Sequence, residues 1–214
     1  MAPKIRTKGR PTGQRLSRRS FLQGSAFATA GATVFGAASL MIESAEAAQG
    51  AGLPVIGPEA ITVTLEVNGE HRAVQVEPRT TLAEALRGPL ALTGTKVACN
   101  RGACSACTVW LDGITVCSCM MLALDVGTRH VTTIEGLAKN GVLHPVQAAF
   151  IEHDALQCGF CTPGMVMSCA ALLERVPHPT AADVEGVISG HLCRCGTYPH
   201  VISATLGAAH TRQA

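Results

Sequence analysis

With 214 residues, 47% of them hydrophobic, the chain can bury one or two cores, and its formal charge of +2 hides an uneven distribution. Seven Lys and Arg stand against two Glu before residue 48, whereas residues 48–214 carry ten basic and thirteen acidic side chains. The body therefore lacks the basic surplus that nucleic-acid binding needs, and that class is set aside.

Taken in chain order, the first feature is "SRRSFLQGSAFATAGATVFGAASLMIESAEAAQG", residues 17–50. Arg18 and Arg19, followed by Phe21 and Leu22, resemble a twin-arginine export signal. Residues 20–42 are uncharged and weakly apolar, and Ala45-Glu46-Ala47 supplies a small-residue cleavage site, so residues 1–47 read as signal and Ala48 as the mature start. A retained anchor is the alternative, because the uncharged run is long enough to span a membrane; its low hydrophobicity argues against that, and no span is expected in the mature chain. The twin-arginine route carries folded proteins, so periplasmic location is compatible with a cofactor inserted in the cytoplasm.

A Gly and Pro linker over residues 48–59 leads to "ITVTLEVNGEHRAVQVE", two alternating apolar runs around Asn68-Gly69, a strong hairpin signal. In "TTLAEALRG", Thr81 and Glu84 are spaced as a capping box, Leu82, Ala85 and Leu86 share one face, and Gly88 marks the stop. After a Cys-rich loop, "TVWLDGITVCSC" predicts two short strands around Asp112-Gly113, and "HVTTIEGL" closes a small α+β sheet domain over residues 60–137. From residue 138 the strand signals fade. "HPVQAAFIEHDAL", "PGMVMSCAALLERV", "TAADVEGVISGHL" and "YPHVISATLGAAH" show helical periodicity between Pro and Gly breaks, and Thr180 with Asp183 looks like the cap of the third helix. Residues 138–214 are therefore expected to form a helical bundle.

All ten cysteines lie at or beyond Cys99, and their close grouping favours metal over a disulfide scaffold. Cys99, Cys104 and Cys107, spaced C-x4-C-x2-C, with Cys119 further on, match the plant-type 2Fe-2S ferredoxin pattern. Cys117 complicates the fourth position, because on a strand it would face the same way as Cys119. Cys158-x2-Cys161 and Cys193-x-Cys195 supply four more thiols, expected as two tight pairs at the ends of facing helices, enough for a second cluster. A stand-alone zinc or disulfide module is the competing class, but zinc ribbons pair two C-x2-C motifs, which these sets do not. "CGFC" lacks the βαβ flank of a thioredoxin-type dithiol, and no C-x-H offers the His ligands of a Rieske centre. The eight histidines are scattered and read as surface or core residues, Cys117 and Cys169 as core packing.

"GTKVACNRGACSACTV", "LHPVQAAFIEHDALQCGFCTPGMV" and "SGHLCRCGTYPHV" resemble the small two-cluster iron-sulfur subunit of the xanthine oxidase family of molybdenum hydroxylases, especially periplasmic aldehyde oxidoreductases and heteroaromatic-ring oxidoreductases of the isoquinoline type. The resemblance implies a β-grasp ferredoxin-like domain followed by an all-α four-helix domain, each holding one 2Fe-2S cluster. It further implies a large partner subunit carrying molybdopterin, in its cytosine dinucleotide form, with the helical cluster nearest to it. Gln157 takes the place of the glutamine that touches the pterin, and Cys195 that of the cysteine close to it. The chain would then have no catalytic centre of its own and would pass electrons from molybdenum to a separate FAD subunit or c-type cytochrome. Neither a C-x-x-C-H haem site nor a G-x-G-x-x-G fingerprint occurs in it. Two departures stand out: Ser105 and Ala98 occupy positions where the family commonly has Gly, and a loop requiring positive φ would resist both. "CRCGTY" replaces the more widespread "CRCTGY".

Overall fold

The computed structural model describes residues 56–211, which belong to one compact unit beginning at Ile56. The predicted signal over residues 1–47 and most of the linker after it lie outside the described residues.

Strands β1 (Ile61–Val67) and β2 (Glu70–Val76) pair antiparallel, from Ile61 opposite Val76 to Val67 opposite Glu70. Asn68 and Gly69 both adopt positive φ, 56° and 82°, the backbone that a two-residue hairpin turn demands. The alternation puts Leu65, Val67, Val74 and Val76 inside. Helix α1 (Leu82–Arg87) starts at the predicted capping box, Thr81 accepting from the Glu84 N–H while Glu84 accepts from Thr81. Its Leu82, Ala85 and Leu86 pack with the hairpin's inner residues, each leucine contributing roughly 1.5–3 kcal/mol by burial. Gly88 ends the helix without a left-handed turn, its φ being −83°.

Strands β3 (Thr108–Leu111) and β4 (Ile114–Cys117) form a second hairpin through Asp112 and Gly113, and β5 (His130–Thr132) completes a five-stranded sheet of order β2-β1-β5-β3-β4. β5 runs parallel to β1 and antiparallel to β3. The strand alternation expected to place Cys117 and Cys119 on one face does not arise, because β4 ends at Cys117 and Ser118–Met120 form a 3-10 turn.

Four helices follow: α2 (Pro145–Glu152), α3 (Thr162–Arg175), α4 (Ala181–Ile188) and α5 (Tyr198–Thr211). Thr180 and Asp183 form the capping box of α4, as expected. Phe150, Met165, Met167, Val184 and Val201 fill the core between them. Sheet and helices are joined directly: the Trp110 indole Nε1 donates to the Met167 carbonyl at 2.8 Å. Among the described residues no helix is long and apolar enough to cross a membrane.

Candidate metal centres

The loop between α1 and β3 curls because Asn100, Gly102 and Ser105 all take positive φ, at 49°, 70° and 55°. This curl turns successive N–H groups inward onto sulfur. Arg101 and Ala103 donate to Cys99 Sγ at 3.4 and 3.3 Å, and Gly102 donates to Cys119 Sγ at 3.4 Å. Such a nest of backbone donors suits anionic sulfur. The Arg101 N–H first, then the neighbouring Cys104 thiol, hold Cys99 down at about 7. Cys119 moves the other way, because burial pushes it up and the Gly102 N–H only partly offsets this. Cys107 also lies against Cys119, and the Ser118 backbone and hydroxyl both donate to the Cys107 carbonyl, at 3.3 and 2.7 Å, fixing the 3-10 turn against the loop. The four predicted thiols thus come together as Cys99 with Cys104 and Cys107 with Cys119.

Cys117 is half-buried and packs beside the Cys107 and Cys119 pair, its sulfur 4.0 Å from Ser105 Oγ. Ser105 occupies the position where positive φ is required and carries it without glycine, while Ala98 sits in ordinary backbone. Cys169, fully buried on α3, is a core residue, pushed up to about 11 by burial.

The second set is built at two helix starts. Cys161 is the N-cap of α3, with Pro163 in the first turn, and Gly159 at φ 78° bends the chain so that Cys158 lies near it. Cys193 and Cys195 fall in the turn before α5, with Gly196 at φ 78°. Helix N-termini favour thiolates. Burial, and then the Cys193 neighbour, push Cys161 up to about 12. Burial would raise Cys193 too, but hydrogen bonds from Thr197, Cys161 and Gly196 outweigh it and hold Cys193 at about 7. Cys158, Cys161 and Cys193 are thus gathered, whereas the half-buried Cys195 makes no hydrogen bond to the other three. No group of three ligating side chains among the described residues is set to hold a single metal ion. The thiols of the Cys99 loop come in two pairs, the grouping that suits two irons sharing a core, each with two cysteines, and the helical set brings three together with Cys195 two residues from Cys193.

Sequence spacing did not show how the two sets are connected. The Leu192 N–H donates to the Cys104 carbonyl at 3.2 Å, so the residue before Cys193 is bonded to a thiol-bearing residue of the other loop. Close by, the Ser105 carbonyl rests on Gly164 at the start of α3, where a side chain would collide with it. His191 is buried, its Nε2 2.8 Å from Ser168 Oγ, and burial lowers it to about 4. Gln157 and Cys158 are exposed, as are the apolar side chains of their chain neighbours Leu156 and Phe160 and that of Leu192, the residue before Cys193. A cavity of about 710 Å³ lined by Glu66, Trp110, His130 and Glu174, among others, contains none of the cysteines.

Two family profiles match the halves described above: a 2Fe-2S iron-sulfur cluster binding domain over residues 65–137 and a 2Fe-2S binding domain over residues 133–206. A nicotinate dehydrogenase subunit of Pseudomonas putida is 43% identical over 71% of this chain and 97% of its own. The aldehyde oxidoreductase iron-sulfur-binding subunit PaoA of Escherichia coli O157:H7 is 40% identical over 94% of this chain and 92% of its own. The chain belongs to the small 2Fe-2S subunits of xanthine oxidase family molybdenum hydroxylases. As such a small subunit, it is superposable on quinoline 2-oxidoreductase from Pseudomonas putida 86, with a TM-score of 0.70 and 39% identity over 72% of this chain and 97% of that one. The aldehyde oxidoreductase of Desulfovibrio desulfuricans gives a TM-score of 0.66 at 42% identity, over 71% of this chain but 17% of that longer one. The small subunit is thus an iron-sulfur electron-transfer component of an oxidoreductase complex.

Proposed function

We propose that this chain is the electron-transfer subunit of a periplasmic, molybdenum-dependent aldehyde oxidoreductase. In this reading residues 60–137 are a β-grasp domain and residues 138–214 a four-helix domain, which the strand order and the four helices support. Cys99, Cys104, Cys107 and Cys119 hold one 2Fe-2S cluster, and Cys158, Cys161, Cys193 and Cys195 the other. When bound, the clusters supply one-electron storage near roughly −400 mV for the plant-type member. The chain's own residues do the rest. Loop N–H groups steady the sulfurs of Cys99 and Cys119, Cys161 and Cys119 would have to lose their protons to ligate iron, against the burial that pushes both up, and the Leu192 to Cys104 hydrogen bond fixes one loop against the other.

Electrons enter from a molybdopterin cytosine dinucleotide on the large subunit, docked where Gln157 and Cys158 are exposed, and leave through the Cys99 loop to an FAD subunit or c-type cytochrome. The observation that carries this reading is the gathering of thiols in two sets tied by one peptide hydrogen bond. Export rests on the sequence alone, on Arg18 and Arg19 followed by the uncharged residues 20–42 and Ala45-Glu46-Ala47. A second reading, oxidation of an N-heteroaromatic ring, is favoured by the nicotinate dehydrogenase likeness and by that to the nicotine 6-hydroxylase small subunit of Paenarthrobacter nicotinovorans, 46% identical over 70% of this chain. Assay of the purified complex on aldehydes and on heteroaromatic rings separates the two.

Protein purified without air is expected to contain about four iron atoms per chain and to show two distinct reduced-cluster signals in electron paramagnetic resonance. Two iron atoms with one signal would refute the two-cluster assignment. Changing Arg18 and Arg19 to Lys should leave folded, cluster-loaded precursor in the cytoplasm, whereas undiminished periplasmic protein would rule out that export route.

A further inference from the structure

The turn before α5 treats Cys193 differently from the other cysteines. Its N–H donates to the Tyr198 hydroxyl at 2.8 Å, and that hydroxyl donates onward to the His191 carbonyl at 2.9 Å, so the peptide N–H is engaged by a side chain that also ties the turn to His191. The sulfur meets the backbone N–H groups of Gly196 and Thr197 and, in addition, a side chain, with Thr197 Oγ1 3.4 Å away. Thr197 is 3% exposed, and Cys193 is the hydrogen-bond partner of its hydroxyl among the described residues. Either atom could donate while Cys193 is a thiol, but as a thiolate on iron it has no proton to give. The hydroxyl must then be the donor.

A buried O–H directed at a ligating sulfur stabilises the negative charge that a one-electron reduction adds, and hydrogen bonds to sulfur are among the factors that set cluster potentials. The contrast with the other loop is chemical. There the donors to Cys99 and Cys119 are the backbone N–H groups of Arg101, Gly102 and Ala103, which no side-chain change removes. In the helical set a single replaceable hydroxyl is added, placed by the local order Gly196-Thr197 after Cys195.

We propose that Thr197 is a potential-setting residue: its hydroxyl, donated to the Cys193 sulfur, makes the helical cluster easier to reduce than it would otherwise be and leaves the plant-type cluster untouched. Tyr198 acts through Cys193 as a positioning residue, keeping the turn in the orientation that presents the sulfur to Thr197. The consequence for electron transfer is directional, because an easier-to-reduce helical cluster draws electrons from the molybdenum side. No proton moves in this step, and the electron comes from the partner's metal or, in a titration, from the chemical reductant. The inference rests on the two-cluster reading given above.

The test is a reductive titration of the assembled complex followed by electron paramagnetic resonance, the helical signal being the one that survives Cys119→Ser. Thr197→Val keeps the shape and removes the donor; Thr197→Ser keeps the donor. The helical midpoint is expected to shift to more negative potential in Thr197→Val, to return toward wild type in Thr197→Ser, and the plant-type midpoint to stay in place throughout. An unchanged helical midpoint in Thr197→Val, an equal shift of both clusters, or a serine variant that behaves like valine would overturn the proposal. Loss of the helical signal in both Thr197→Val and Thr197→Ala would show that the hydroxyl holds the cluster rather than sets its potential, which also overturns it. Failure of the wild-type complex to show a helical signal at all would bring down the two-cluster reading, a result distinct from each of these.

Discussion

Cys117 and Cys119 are two residues apart and chemically identical, yet the structure gives them different surroundings. Cys119 is buried, receives the Gly102 N–H and lies against Cys107, while Cys117 is half-buried with Ser105 Oγ at 4.0 Å. Cys119→Ser is therefore expected to abolish or reshape the plant-type resonance signal, and Cys117→Ser to leave it intact; the reverse result would move the fourth ligand to Cys117. Sequence alone left this pair unresolved because strand alternation assumes that the strand continues, and here it stops at Cys117. Ser105 teaches a related lesson. The departure from glycine is visible in the sequence, but only the backbone shows that the position does need positive φ, at 55°, and that Ala98 does not.

At the scale of elements, local chemistry was readable and long-range pairing was not. Asn68-Gly69, the Thr81 and Glu84 box and the Thr180 and Asp183 box each announce a structure formed within a few residues of themselves, and each is found. The three-residue β5, which inserts between β1 and β3 and runs parallel to β1, carries too short a pattern to reveal its partners. The same holds for the contact between the cluster loop and α3. Gly164 reads as an ordinary residue of a helix start, but a Cβ there would strike the Ser105 carbonyl and press on the Ala106 backbone, neither of which has a flexible end to move. Gly164→Ala is expected to cost about 1–3 kcal/mol of stability, seen as a lowered thermal midpoint of the loaded protein. A midpoint equal to wild type would mean that the two elements can separate at little cost.

For the whole molecule, the exposed face around the helical cysteines is the one to probe. Gln157 is exposed, with its chain neighbours Leu156 and Phe160 exposed as well, and its amide can donate and accept at once, as a pterin edge requires. Gln157→Ala should leave both cluster signals in place while turnover or molybdopterin retention of the reconstituted complex falls, the loss of buried partners costing about 1–3 kcal/mol. Wild-type activity and cofactor content in that variant would remove Gln157 from the cofactor's surroundings. The close cysteine spacings C-x4-C-x2-C, C-x2-C and C-x-C were legible because they are local; which face meets the partner is not written in any spacing, since it depends on which loops the fold leaves uncovered.

The bond from the Leu192 N–H to the Cys104 carbonyl, with the Trp110 to Met167 bond behind it, joins the two cysteine loops inside one folded body. A relay assembled from separate carriers advances only as often as its members collide, and so slows on dilution. In the function proposed above, the handover between the two sites would be an internal event whose rate is independent of concentration, leaving only the two outer contacts, with donor and with acceptor, to respond to crowding, salt or supply.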